Sequence, residues 1–267
     1  MQIKYTQLDQ DQFTQRTLGP KSGYRIETES ILLEPLLLSR DAPKLWDLVK
    51  DHSKLFEYFP HGPCSSYEDF YAIQKRYCSA PDHFNWAVYL LVGNQKQKIL
   101  CGSICLLDIS LPFRRFEVGA IWFHPAVHST FVMLETTYAL LRFSFEQLQA
   151  GRVQWKTHHQ NIASQKSALK LGFDLDGIHK KHLIHYNGQW RNSYYYSMTD
   201  DDWFGDHVTT DGRPGLDVVK PAEEPDLRQE SSGRQLRLEQ LIQARKHEGK
   251  PLPESVQHGV ALTALSS

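Results

Sequence analysis

The sequence predicts an α/β (α+β) fold, a mixed central β-sheet with helices on both faces. Three observations carry that prediction. Apolar spacing alternates between period 2 and period 3.6 over residues 24–204. Three β-rich stretches follow one another between residues 84 and 123, broken only by short turn sequences. Finally, "KKHLIHYNGQWRNSYYYSM" sets Asn187-Gly188 between two alternating runs, the pattern of a β-hairpin with a type I′ turn.

Taken in order, "SILLEPLLLS" (30–39) reads as a short or edge strand, because Pro35 cannot donate to a ladder. Asp41 is the expected N-cap of a helix over "APKLWDLVK", with Pro43 in its first turn. Ser66 caps a second helix, "SYEDFYAIQKRYC", with Asp69 three residues on. The stretches 84–92, 98–109 and 114–123 are consecutive antiparallel strands, broken by "GNQ" and "SLP". In "MLETTYALLRFSFEQLQ", Leu134, Tyr138, Leu141, Phe145 and Leu148 form one face of a long helix, and Gly151 follows its end. "RVQWKTHH" is a short strand, and the next helix starts at Asn161 and closes at Gly172.

All 31 aromatic residues lie at or before Phe204, so the core is expected to end there. Residues 1–23 read as an N-terminal extension. Residues 205–267 hold five prolines and many charges and read as a mostly disordered tail. Within the tail a short helix over 234–247 is expected, with Leu238, Leu241 and Ile242 on one stripe that a partner could cover.

A net charge of −1, from 30 basic and 31 acidic side chains, gives no general affinity for nucleic acid or an anionic membrane. Cys64, Cys78, Cys101 and Cys105 show no CxxC pair, and no run is long enough to span a bilayer, so a soluble, cytoplasmic chain is expected. There is no Gly-x-Ser-x-Gly elbow and no Gly-x-x-x-x-Gly-Lys loop. Among the 13 histidines, His182 and His185 fall on opposite faces of an extended strand and cannot share an ion, so no metal site is expected.

Several motifs together carry a family resemblance. They are "FEVGAIWFHP" (116–125), Thr130 and Glu135 in "STFVMLETTYALLRFSFEQL", then "RVQWK", Asn161-x-x-Ser164, "LGF" (171–173), the hairpin and a closing Trp203. Over roughly residues 24–204 the chain resembles the GCN5-related N-acetyltransferase (GNAT) superfamily, in the branch similar to ribosomal-protein N-terminal acetyltransferases. The resemblance implies a sheet with a V-shaped splay between two strands, 117–124 and 152–157, holding acetyl-CoA. It implies that the thioester arm meets the backbone of Ile121, Trp122 and Phe123. The pyrophosphate would meet the amides of Val127, His128, Ser129, Thr130 and Phe131, where a helix start favours anions.

Asn161 and Ser164 would, by the same resemblance, contact the pantetheine arm and sulfur. Glu117 is the candidate general base, the alternative being a carboxylate paired with Arg114 or Arg115. Ser164 and Tyr196 are candidate acids for the departing thiolate. Where the superfamily commonly has Gln/Arg-x-x-Gly-x-Gly/Ala, this chain has His128, Phe131 and Met133. Two functions follow. The first is acetyl transfer from acetyl-CoA to a primary amine (a protein N-terminus, an amino acid or a metabolite) by direct attack. The alternative is a catalytically degenerate binding or scaffold protein on the same fold. The expected partners are the acceptor and a homodimer mate or a protein bound through the tail.

Overall fold

The computed structural model describes residues 1–7, 23–205, 234–258 and 261–262. Among them nine strands form one sheet: β1 (Lys4–Gln7), β2 (Tyr24–Glu27), β3 (Ile31–Pro35), β4 (Phe84–Val92), β5 (Gln97–Ser110), β6 (Arg115–Phe123), β7 (Arg152–His158), β8 (Asp174–Ile184) and β9 (Trp190–Thr199). Their order is β1-β2-β3-β4-β5-β6-β7-β9-β8. All neighbours are antiparallel except β6 and β7, and that parallel pair is bridged by a helical crossover, as a parallel connection requires.

The helices are α1 (Leu38–Val49), α2 (Tyr67–Ser79), α3 (Val132–Arg142), α4 (Ile162–Lys170), α5 (Asp200–Phe204), α6 (Arg234–Glu248) and α7 (Glu254–Gln257). They cover both faces, as β4 demonstrates. Asn85 Nδ2 reaches Cys78 of α2 (3.7 Å), while its neighbour Trp86 meets Phe143, just after α3, on the other side (ring centroids 6.2 Å).

Several local expectations need correction. Asp41 is not the cap of α1, which begins three residues earlier with Leu37 at the cap position; Pro43 lies inside the helix. The buried Asp41 carboxylate instead reaches back to the Leu37 amide (2.8 Å) and to Arg40 (2.7 Å). Ser66 does cap α2, accepting from the Asp69 amide at 3.1 Å. The long helix after residue 131 ends in a π turn, Phe143–Gln147, closed by Leu148 N donating to Phe143 O (3.1 Å). The left-handed residue after it is Gln149 (φ 54°), not Gly151.

At the hairpin, Gly188 alone is left-handed (φ 79°). His185 O accepts from Gly188 N and Gln189 O from His185 N, so a type I turn followed by a bulge replaces the expected type I′.

Trp203 of α5, fully buried, stacks on Phe145 (5.2 Å) and meets Tyr138 (5.7 Å), tying the end of β9 to α3. Helix α6 lies along α3 with Leu238 and Ile242 buried, so the stripe offered as a partner element packs on the domain itself. Polar contacts fix its register: Tyr138 donates to Glu239, and Lys246 pairs with the fully buried Glu135 (2.9 Å). Residues 8–22 of the expected N-terminal extension and residues 206–233, 259–260 and 263–267 of the expected tail lie outside the described residues.

Candidate active site

Strands β6 and β7 pair only at Arg115↔Arg152, Phe116↔Val153 and Glu117↔Gln154. Beyond that point they diverge. The cause lies in β6, where Ala120 takes a left-handed φ of 48° and the register against β5 slips between Ser103 and Cys105. Gly102 of β5 permits the kink, since a Cβ there would lie 2.3 Å from the Trp122 carbonyl oxygen. The result is a V whose β6 arm carries Ile121, Trp122 and Phe123. Paired with β5 on one side, that backbone has no strand beside it on the β7 side, which is suited to an extended ligand.

Glu117 stands where the V opens, 7% exposed. Its carboxylate pairs with Lys156 of β7 at 2.6 Å, and Lys156 also bonds Asp108. The predicted alternative partners are engaged elsewhere or uninvolved: Arg114 pairs with Asp200 (3.6 Å) and donates to Gln149 O (2.5 Å). Burial pushes the Glu117 carboxyl up to about 7, with Lys156 pulling the other way. Burial also opposes the charge on Lys156, yet the two carboxylates hold its pKa above the usual lysine value. A buried carboxyl that titrates near neutrality is suited to take a proton from an amine.

Alternation along β9 decides which tyrosine joins Glu117. Tyr195 lies opposite Lys156 and Tyr196 opposite Trp155. Tyr195 therefore shares the Glu117 face, where Lys156 sits over its ring at 5.3 Å. Tyr196 is buried on the other face, its ring 6.5 Å from that of Tyr194. Of the catalytic candidates, then, Tyr196 and Ser164 lie on the α4 face and Glu117 on the α2 face.

On the α4 side, Asn161 Oδ1 accepts from the Ser164 amide (3.0 Å) and caps α4. Its amide NH2 is not needed for that bond. Ser164 Oγ accepts from Trp155 Nε1 (3.0 Å), which fixes the oxygen and leaves the hydroxyl proton for another acceptor. The turn before α3 is less open than the resemblance implies. The amides of Val127, His128 and Thr130 donate to His124, Pro125 and Val127 carbonyls, so Ser129 and Phe131 are the uncommitted ones among the described residues. Ser129 is left-handed (φ 65°) in place of a glycine. Thr130 Oγ1 donates to Val127 O (2.7 Å) and His128 Nε2 lies 2.8 Å from Phe123 O, so the turn is braced by side chains.

On the Glu117 side a small aromatic cavity is walled by Phe56, His61, Tyr77, Cys105 and Trp122. Burial pushes the Tyr77 hydroxyl up to about 12 and lowers the His61 pKa, so both are neutral at pH 7. Of these residues only Trp122 was an expected site residue, for its backbone, and neither Asp108 nor Lys156 was expected beside Glu117. One signal was available: Gln154, Lys156 and His158 alternate onto one face of β7. Asp82, His83 and Asp108 bring ligand atoms within 4.8 Å of one another, but Asp108 is already bonded to Lys156. No described helix is long and apolar enough to cross a membrane.

Comparison with known proteins agrees with this geometry. A GNAT acetyltransferase-domain model matches residues 30–174. The uncharacterized N-acetyltransferase YnaD of Bacillus subtilis is 26% identical over 88 residues, which is 33% of this chain and 51% of YnaD, so the match spans about half that relative's length. A GCN5-related N-acetyltransferase from Brucella melitensis superposes with a TM-score of 0.60 at 23% identity, covering 67% of this chain and 80% of that one. Mycobacterium smegmatis RimJ, solved with CoA-disulfide, superposes with a TM-score of 0.54 at 16% identity, covering 63% and 81%. With a matching domain over more than half its length and a sheet that parts at Glu117, the chain belongs to the GNAT acetyltransferase family.

Proposed function

We propose that the protein transfers an acetyl group from acetyl-CoA to a primary amine by direct attack, as an N-acetyltransferase similar to the ribosomal-protein branch. The observation that carries this reading is the buried Glu117 carboxyl, titrating near 7 where β6 and β7 part. Acetyl-CoA supplies the thioester; the protein's task is to deprotonate the amine and protonate the leaving sulfur. The amine nitrogen forms the new C–N bond as the C–S bond breaks. Glu117 accepts the amine proton, and Ser164, oriented by Trp155, gives its proton to the thiolate and regains one from solvent. Tyr196 is the second acid on that face.

The cofactor assignments rest on the V and on the start of α4. Ile121, Trp122 and Phe123 offer backbone to the thioester arm, Ser129 and Phe131 amides meet the pyrophosphate, and Asn161 donates its NH2 to the arm. Val127, His128 and Thr130 shape the turn through the bonds described above. The scaffold reading is favoured by that same closed turn. Calorimetry decides between them, since no detectable acetyl-CoA binding at millimolar ligand would sink the enzyme reading. A screen of amine classes with coenzyme A release as readout then ranks acceptors.

Asn161→Asp separates capping from ligand binding. Aspartate is an equally good N-cap, so stability should change by less than ~0.5 kcal/mol. It lacks the NH2 donor and adds a negative charge, so acetyl-CoA affinity should fall about ten-fold or more. Unchanged affinity in calorimetry assigns Asn161 to the cap alone.

A further inference from the structure

The Glu117 face holds a buried cation to which acetyl transfer gives no task. Arg191, at the start of β9, is 7% exposed. Its Nε donates to Ser193 Oγ (2.9 Å), and that hydroxyl is held by His182 Nδ1 (3.0 Å), whose Nε2 meets the Tyr195 hydroxyl (3.1 Å). Among the described residues the guanidinium makes no ion pair, and neither Nη has a hydrogen-bond partner. An arginine stays charged and carries five donors in a planar fork; here the residue is largely buried while its Nη donors keep some exposure and meet no protein acceptor, which leaves them for a ligand.

The groups that act on it electrostatically are Glu117, Tyr195 and Tyr77. The carboxylate among them is already claimed by Lys156, and the two phenols are neutral at pH 7. The register gives the location. Arg191, Ser193 and Tyr195 alternate onto one face of β9, and Tyr195 lies opposite the Lys156 that bonds Glu117.

We propose that Arg191 binds a carboxylate of the acceptor, which makes the substrate a small amine bearing its own carboxylate: an amino acid with a free α-carboxyl group. The inference rests on the acetyl-transfer reading for the task of Glu117. The fork receives the carboxylate through both Nη groups while Glu117 takes the proton from the amine, so the two residues hold the two ends of one molecule. Ser193 is a positioning residue that fixes the plane of the guanidinium through Nε.

Titration calorimetry of the full chain, in the presence of coenzyme A, with the common amino acids and their α-amides, tests this without turnover. At least one amino acid should bind roughly ten-fold or more tightly than its amide. Arg191→Gln should abolish that difference and Arg191→Lys retain part of it, with urea unfolding confirming that each variant is folded. The acid-versus-amide comparison in the unaltered protein stands even where a variant fails to fold.

Equal affinity across every acid–amide pair, or no binding by any amino acid, overturns the proposal. Tighter binding of the peptide amide Ala-Asp-amide than of any free amino acid moves the carboxylate to a peptide side chain and overturns the α-carboxyl assignment. Acetyl-CoA binding and thiol release on the same sample report separately on the transfer reading. Transfer that ignores the carboxylate leaves that reading intact and removes this one.

Discussion

Replacing Glu117 by Gln should lower kcat about 10²- to 10⁴-fold at saturating acetyl-CoA and acceptor, the range for loss of a positioned general base. The loss is one of proton location. The amide would keep the volume and one acceptor oxygen but could not take the amine proton. The pH profile gives a sharper test. A base must be ionised to act, and burial puts the Glu117 pKa at about 7, so kcat should rise about ten-fold per pH unit below 7 and level off above it. In the amide variant that limb should vanish. Measuring kcat rather than kcat/KM keeps ionisation of the free acceptor out of the profile.

Lys156→Met adds a direction. The Lys156 ammonium lies 2.6 Å from the carboxylate and stabilises its ionised form, so removing it should move the limb up by about one pH unit or more. A limb that stays at 7 in both variants belongs to another group and removes Glu117 from the reaction. Stability carries the opposite sign. Because the folded carboxyl keeps its proton up to about 7 while an unfolded one releases it near 4.5, this group makes folding less favourable as pH rises between those values, with no further change above 7.

Glu117 was singled out through the family resemblance, in which Glu often stands before the Gly of this strand. Its partner was not. Lys156 is 39 residues away, and which face of β7 it takes depends on a pairing in which a slip of one residue exchanges the faces. The same one-residue choice separates Tyr195 from Tyr196. Neighbours on a strand point to opposite faces, but only the register Lys156↔Tyr195 says which of them meets Glu117.

The burial of Arg191 on the face of Glu117 is a tertiary fact, set by the β7–β9 register. At α1, the cap preference of Asp41 yielded to tertiary context: the chain turns into helix at Leu38, directly after β3 ends at Pro35, and Asp41 is drawn inward to the Leu37 amide. Asn161 shows the converse, for local preference and the observed contact coincide there. The π turn was invisible because its extra residue leaves Phe143 and Phe145 both buried, so the apolar pattern reads as continuous helix.

Lys246→Met should destabilise the protein by roughly 3 kcal/mol, far more than a surface ion pair is worth. The reason is its partner. Glu135 is 0% exposed; one of its oxygens accepts from Thr28 Oγ1 (2.6 Å) and the Ser30 amide (3.2 Å), and the other faces Lys246 at 2.9 Å. Methionine fills the stem's volume but leaves a buried carboxylate without a counter-charge. The contact of Lys246 with Glu29, 3.1 Å but largely exposed on the acidic side, contributes little.

The double variant Glu135→Gln/Lys246→Met should recover most of the loss, because no buried charge is then left unpaired. Urea unfolding measures both. A loss below about 1 kcal/mol in the single variant would mean that α6 is not docked on α3 as described. The pair also reaches the cofactor turn. Lys246 lies 5.4 Å over the Phe131 ring and Lys250 donates to His128 O (3.4 Å), so α6 and the residues after it lie directly against the turn that lacks the superfamily's glycines. Undocking α6 should therefore weaken acetyl-CoA binding together with stability. In the double variant, where Lys250 and the apolar contacts of Leu238 and Ile242 remain, affinity should return with the fold.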